Sequence, residues 1–201
     1  MTTQIDFYFD YGSPTSYLAY QQMVGLVERT GALVRYKPIL LGGILQATSN
    51  TSPMDIPSKR KWMIADMEFF SLRYGVPFAF NPHFPVNTLN LMRGAIYALR
   101  EGFFLEYSDA IFEAMWVKKR NLADLNELRT VLAAANLPVD AILTATQNPA
   151  VKEALKQETE AAVQRGLFGA PTLFVGEKMY FGQDRVQYAE EEINRLQKTQ
   201  G

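Results

Sequence analysis

Cysteine is absent from the 201 residues, and histidine occurs once, as His83. The missing thiols exclude disulfide bonds, cysteine-ligated zinc and a thiol nucleophile supplied by the protein. A single imidazole cannot build a histidine metal cluster, and it offers only one candidate base for a serine triad. The sequence therefore predicts no metal site and no thiol–disulfide exchange by the protein's own residues.

Long apolar runs and an excess of one charge are also missing. No segment approaches the roughly 18 consecutive apolar residues of a membrane-spanning helix. The start of the sequence, MTTQIDFYFD, lacks the basic residues and apolar core of a signal peptide. The net charge is -1, so no electrostatic field attracts nucleic acid or a membrane surface. We therefore expect a cytoplasmic protein with neither kind of partner.

Apolar periodicity divides the chain into three parts. At the start of the chain, the pattern predicts a strand at 5–9, a helix at 14–30 and a second strand at 33–39. At the end, it predicts two strands at 171–176 and 178–182, joined by Gly176-Glu177, and then a helix at 184–197. Helical spacing fills the middle, at 58–74, 88–100, 105–118, 124–135, 139–146 and 148–165. Residues 40–58 show no period and are predicted to form a long loop.

Periodicity also predicts which side chains face the core. One helical face carries Tyr17, Tyr20, Val24 and Val27. Another carries Trp62, Ala65, Phe69 and Leu72, with Met63, Met67, Phe70 and Tyr74 beside it. Both tryptophans, Trp62 and Trp116, are therefore assigned to the core.

A β-α-β unit and a β-β-α unit around one mixed sheet form the layout of thioredoxin. We therefore predict an α/β protein, a thioredoxin-like fold with a large all-helical insertion domain. The predicted boundaries are 1–58 plus 167–201 for the thioredoxin-like domain and 59–166 for the insertion.

Two motifs lie where this layout carries its chemistry. In FDYGSPTSYL (9–18), Ser13-Pro14-Thr15-Ser16 opens a helix at the position where many redox proteins carry Cys-X-X-Cys. In FGAPTLFV (168–175), Pro171 precedes a strand, like the cis-proline of the thioredoxin fold. With the segments GAPTLFVGEKMYFGQDR and TSNTSP…IPSKRKWM, these motifs resemble 2-hydroxychromene-2-carboxylate isomerases and kappa-class glutathione transferases. The resemblance extends over nearly the whole chain.

This resemblance implies that a serine replaces the redox cysteine and that bound glutathione supplies the thiol. Physical chemistry supports the same role for Ser13. A helix N-terminus favours an anion such as a thiolate, and a serine hydroxyl can donate a charge-assisted hydrogen bond to it. Both effects lower the pKa of a thiol. The alternative is that Ser13 is only the N-cap of its helix.

The resemblance also suggests how the γ-glutamyl and cysteinyl parts of glutathione are held. Asp184 at a helix start can face the ammonium, and the N–H groups of Gln183 and Asp184 can hold the adjacent carboxylate, in a segment that includes Arg185. If the Ala170-Pro171 bond is cis, the peptide groups of Ala170 can pair with the cysteinyl backbone as an added strand does. Asp184 as a plain cap, and an ordinary trans bond before Pro171, remain open.

Matching the family motif, Asn50 and Lys59 fall where the glycyl end of glutathione is held, although Lys59 can equally be a solvated lysine. Tyr11, Lys37 and His83 are candidates for the second-substrate pocket, with His83 as an ordinary loop residue the alternative. The substrate of the isomerases bears a carboxylate, yet residues 39–50 carry no charge. Leu45 stands where the resemblance leads us to expect a lysine.

We therefore expect a glutathione-dependent isomerase of 2-hydroxychromene-2-carboxylate or a related small aromatic acid. The resemblance also implies a homodimer. A transferase of the kappa-class type uses the same site but leaves the thiol in the product. A non-catalytic binding protein with a thioredoxin fold is the third alternative.

Overall fold

The computed structural model describes residues 3–200. Its sheet contains β1 (Gln4–Phe9), β2 (Leu33–Pro38), β3 (Thr172–Val175) and β4 (Lys178–Phe181), in the order β2-β1-β3-β4. Strand β1 runs parallel to β2 and antiparallel to β3, and β4 is antiparallel to β3. The predicted thioredoxin-like α/β fold with a mixed sheet is confirmed.

Helices surround the sheet and fill the middle of the chain. They are α1 (Pro14–Thr30), α2 (Leu41–Ala47), α3 (Pro57–Tyr74), α4 (Leu89–Glu101), α5 (Phe104–Trp116), α6 (Leu125–Ala134), α7 (Val139–Ala145), α8 (Pro149–Gln164) and α9 (Val186–Gln200). Local signals set the ends of the best predicted ones. Ser13 caps α1, Asp124 caps α6, and Asn148 caps α8, each by accepting a backbone N–H of the first turn.

Residues 40–58 are not the long loop that their composition predicted. Helix α2 and a 3₁₀ turn at Pro53–Asp55 occupy most of the segment, and α3 already begins at Pro57. Two side chains from distant parts of the chain hold the start of α2. Asp10 accepts the N–H of Leu41, and the hydroxyl of Thr159 accepts the N–H of Leu40.

The larger of two clusters of buried side chains includes residues of β1, α1 and the helices α4 to α8. Trp116 is fully buried within it, as predicted. Because the cluster crosses the proposed boundary between sheet and helical block, the division into two domains stays a prediction.

The predicted apolar face of α3 points away from the core, whereas that of α1 is buried at Tyr17 and Tyr20 as predicted and exposed at its other positions. Trp62 is 65% exposed and Leu72 is 83% exposed, so the core-facing side of α3 is the one that carries the buried Met67. Val24 on α1 is also mostly exposed. Periodicity found the apolar stripes, but it could not tell which of two neighbouring stripes faces the core.

Within residues 3–200, no helix is both long and apolar enough to cross a membrane.

Candidate functional site

A cleft of about 410 Å³ opens beside the first turn of α1. Its walls come from α2, α3, the segment before β3 and the segment after β4, and they include Thr15, Leu41, Leu45, Asn50, Trp62, Met63, Asp66, Phe168, Ala170, Pro171, Phe181, Gln183 and Asp184. Five of the residues predicted for glutathione therefore lie around one cavity: Asn50, Ala170, Pro171, Gln183 and Asp184. Its lining among the described residues contains no lysine, arginine or histidine.

Ser13 lies just behind this cleft rather than in its wall. Its oxygen accepts the N–H of Ser16 at 3.1 Å, and its hydroxyl donates to the Ala170 carbonyl at 3.0 Å. The hydroxyl of Thr15, 3.0 Å from that of Ser13, lines the cleft. The first turn of α1 thus presents two adjacent hydroxyl groups beside a positively polarised helix end.

Asp10 holds the backbone of the turn before Ser13 in place through hydrogen bonds. It is fully desolvated, and its two carboxylate oxygens accept the N–H groups of Gly12 and Leu41, both at 2.8 Å. Burial raises the pKa of Asp10, although these hydrogen bonds act in the opposite direction. The same side chain therefore couples the turn before Ser13 to the start of α2, which forms one wall of the cleft.

The segment before β3 forms the opposite wall. The Ala170-Pro171 peptide bond is cis, and Ala170 and Pro171 both line the cleft. Asn50 donates its side-chain N–H to the Phe168 carbonyl at 3.1 Å, which ties the loop after α2 to this segment. Residues 168–171 have no polar side chains, so the polar groups of this wall are backbone atoms.

Two carboxylates, Asp66 and Asp184, face the same cleft. Burial and the nearby charge of Asp184 raise the pKa of Asp66. Asp184 also pairs with Arg185 at 3.2 Å. Gly182 makes room for this carboxylate, because a Cβ at that position would lie 2.6 Å from Asp184 Oδ1. The pair forms a negatively charged corner suited to a cationic group.

Gln183, between this corner and the sheet, is held from two helices. Its backbone carbonyl accepts the side-chain N–H of Gln22 from α1 and the hydroxyl of Tyr74 from α3. The N–H groups of the 3₁₀ turn Gln183–Arg185 are thereby fixed relative to the first turn of α1.

Comparison of the sequence with known proteins assigns the chain to a family. A family model described as a DSBA-like thioredoxin domain matches residues 4–194. The 2-hydroxychromene-2-carboxylate isomerase of Sphingobium xenophagum is 34% identical over 192 residues, which cover 94% of this chain and 97% of that protein. The chain belongs to the family of 2-hydroxychromene-2-carboxylate isomerases and kappa-class glutathione transferases.

Two further members of the family agree with this assignment. A solved structure of a 2-hydroxychromene-2-carboxylate isomerase has a TM-score of 0.88 and 30% identity, and the match covers 98% of this chain and 97% of that one. The human glutathione S-transferase kappa 1 is 28% identical over 202 residues, covering 91% of this chain and 87% of that protein. Family relatives with both names thus share nearly the full length of this chain.

Other predicted residues lie outside the cleft. Lys59 and Arg185 are exposed, His83 is exposed in the loop between α3 and α4, and Lys37 pairs with Glu158 at 3.2 Å. None of them lines the cleft, and their proposed roles stay predictions. Tyr11 is a correction, because it is fully buried in the aromatic core and bonded to Ser108 instead of bordering a substrate pocket.

Thr15, Trp62 and Asp66 are among the cleft residues that sequence reasoning missed. Thr15 stands inside the recognised motif, so its position was the available signal. Trp62 and Asp66 lie on a helix whose facing was predicted incorrectly, and the sequence alone gave no sign that this side meets the segment after β4.

Proposed function

We propose that the protein is a cytoplasmic glutathione-dependent isomerase that acts on 2-hydroxychromene-2-carboxylate or a related acid of aromatic catabolism. The observation that carries this proposal is the cleft itself. It brings a helix N-terminus with the Thr15 hydroxyl, a backbone wall at Ala170 and a corner with two carboxylates around one cavity, and the Ser13 hydroxyl lies 3.0 Å behind that of Thr15. These groups complement a thiolate, an extended peptide backbone and an ammonium group.

The residues present fit glutathione. Asp66 and Asp184 receive the γ-glutamyl ammonium, and the N–H groups of Gln183 and Asp184 hold the neighbouring carboxylate. Ala170 pairs with the cysteinyl backbone, next to Pro171. At the glycyl end, Asn50 would bind from the cleft wall, and Lys59 of the first turn of α3 would pair with the carboxylate. Arg185 keeps Asp184 oriented through their ion pair.

When bound, glutathione supplies a thiolate that adds reversibly to the conjugated acid, so that a double bond becomes single and can rotate. The protein lowers the pKa of that thiol through the helix N-terminus and the hydroxyls of Ser13 and Thr15. Leu41, Leu45 and Trp62 supply an apolar wall that orients a flat substrate and excludes water.

A transferase like the kappa-class relatives is the second candidate, and one observation favours it. No cation lines the cleft within the described residues, and Leu45 projects into the cleft from α2. A neutral electrophile would need no cation, whereas a carboxylate substrate must recruit Lys37, Lys59 or His83 from outside.

The fate of the thiol distinguishes the candidates. The enzyme is incubated with limiting glutathione and excess hydroxychromene carboxylate, or with a chloro-dinitrobenzene electrophile, and free thiol is titrated over time. We expect many turnovers of the acid per glutathione and only slow, stoichiometric thiol loss with the aryl halide. Rapid thiol loss with the aryl halide and no turnover of the acid support the transferase instead. Inactivity toward both, despite glutathione binding, leaves a non-catalytic binding protein.

A further inference from the structure

A second cleft lies on the other side of α2. It has a volume of about 610 Å³, within the range of ligand pockets, and it opens between α2, α4 and α8. Its apolar walls include Leu40, Leu89, Leu155 and Val163. None of the residues predicted for glutathione belongs to it.

Arg93 of α4 lines this cleft and lacks the partner that its guanidinium needs. Its Nε is inaccessible to solvent and forms no hydrogen bond, and its Nη1 makes one long contact, 3.4 Å, to the Thr146 carbonyl. Arg35 and Arg165, by contrast, each bond to the carboxylate of Asp6. A buried donor without an acceptor is costly, and a carboxylate is the acceptor that matches the guanidinium fork.

The charges around the cleft favour one anion. Three cations, Arg93, Lys152 and Lys156, and two carboxylates, Glu153 and Glu160, line it, so its net charge is +1. Neither glutamate forms an ion pair with Arg93 within residues 3–200. One carboxylate ligand neutralises the cleft and gives the Arg93 guanidinium, which has no carboxylate partner among the described residues, a charged acceptor.

We propose that this second cleft binds an amphiphilic monocarboxylate, whose carboxylate pairs with Arg93 and whose apolar part lies against the leucine wall. Flat aromatic acids and medium-chain aliphatic acids share this chemistry. The site also adjoins the proposed active cleft through α2, because Leu40 and Gly43 line one cavity while Leu41 and Leu45 line the other. The inference does not depend on the proposed reaction.

Calorimetry with 1-naphthoate and octanoate tests the proposal, with 1-naphthalenemethanol and octanol as neutral probes. We expect Arg93→Gln to weaken carboxylate binding at least about tenfold and to leave the alcohols unchanged. Arg100→Gln is the matched control, because Arg100 lies on the same helix, makes a similar 3.4 Å contact to a carbonyl of α8 and does not line the cleft. Binding of one acid but not the other identifies the aromatic or the aliphatic class.

A second variant covers the case in which Arg93→Gln fails to fold. Ala47→Phe fills the cleft from the exposed side of α2 and should abolish binding of both acids. The proposal is overturned if carboxylates and alcohols bind equally, or if folded Arg93→Gln binds naphthoate like the wild type. Competition between naphthoate and S-hexyl glutathione would also overturn it, by placing the acid in the first cleft.

Discussion

The hydroxyl of Ser13 already has a partner before any thiol arrives. Its single proton points to the Ala170 carbonyl, while its oxygen caps α1 through Ser16 N–H. A thiolate in the cleft offers a charge-assisted hydrogen bond, which is stronger than the neutral bond it replaces. We therefore expect the Ser13 hydroxyl to rotate toward the sulfur when glutathione binds, and Thr15 to take over the Ala170 carbonyl, 3.5 Å from its own hydroxyl.

Ser13→Ala tests this role. Loss of a hydrogen bond to a charged group costs about 1.5–3 kcal/mol, so the pKa of the bound thiol should rise by about 1–2 units. Ultraviolet titration of the thiolate in the complex measures this pKa. Ser16→Ala is the control, because the Ser16 hydroxyl is buried without a partner and its removal should leave the thiol unchanged. A larger rise in Thr15→Val than in Ser13→Ala assigns the sulfur contact to Thr15 instead.

Asp66 lowers the stability of the free protein and, in the proposed complex, binds the ammonium group of glutathione. Its pKa is raised by burial and by Asp184, so the folded state holds its proton more tightly than the unfolded chain does. Its contribution to stability is therefore complete below the pKa of the unfolded chain and is lost as the pH rises through the folded pKa. Once ionised, the carboxylate opposes folding slightly.

We expect Asp66→Asn to stabilise the free protein at pH 7, by less than about 1 kcal/mol, and to weaken glutathione binding about tenfold. Urea unfolding and calorimetry measure the two effects. Glu68→Gln, on an exposed side of the same helix, should change neither. Wild-type affinity for glutathione in Asp66→Asn would remove this residue from the ammonium site.

The residues found from the sequence share one property: they lie within contiguous motifs. Ser13, Pro171 and Asp184 could be placed because each belongs to a recognisable segment. Asp66 could not, because its role depends on which face of α3 meets the segment after β4. Tyr11 was misplaced for a related reason, since proximity to Ser13 along the chain does not show on which side of the turn a ring lies.

At the scale of elements, α2 shows how tertiary contacts override composition. Its sequence LGGILQA contains two adjacent glycines, which disfavour a helix. Asp10, directly after β1, and Thr159 of α8 nevertheless accept the first backbone N–H groups of the segment. Neither partner lies near 40–50 in the sequence, so no local pattern could predict this helix, whereas α1, α6 and α8 carry their own caps.

Arg165 joins three elements at the end of α8. Its guanidinium bonds to Asp6 of β1 and to the Gly176 carbonyl at the hairpin tip, and it lies 3.8 Å from the ring centre of Phe174. Burial alone would raise the pKa of Asp6, but hydrogen bonds from Arg35 and Arg165 bring it below its usual value. The stability that this carboxylate contributes is therefore present above the unfolded pKa and lost as the pH falls through the folded one.

Arg165→Gln should destabilise the protein by about 2–3 kcal/mol at pH 7, because Asp6 is buried and loses a charged partner. The difference from the wild type should shrink as the pH falls through the lowered pKa of Asp6 in the folded wild type, because this carboxyl is then protonated in both proteins. Urea unfolding at several pH values measures this. Arg29→Gln breaks an exposed pair with Glu190 and should cost less than about 1 kcal/mol. Equal losses in the two variants would contradict the special position of Arg165.

At the scale of the whole molecule, the family resemblance predicts a homodimer. The exposed apolar stripe of α3, formed by Trp62, Phe69 and Leu72, is the surface we would test first. We expect sedimentation at micromolar concentration to give a dimer, and Leu72→Glu to give a monomer. Val24→Glu changes an equally apolar exposed position on α1 and should remain dimeric. A monomeric wild type would contradict the prediction.

The strand order determines the sequence in which the strands can pair during synthesis. Strand β1 lies inside the sheet, between β2 and β3. Its neighbour β3 is far away in the sequence, because Ile5 pairs with Val175. During synthesis, β1 and β2 can pair early, but one edge of β1 stays open until the segment after α8 has emerged. Closing so long a loop is entropically costly and slow. The nascent chain therefore exposes an unpaired strand edge for most of its synthesis, and the sheet is completed only near the end.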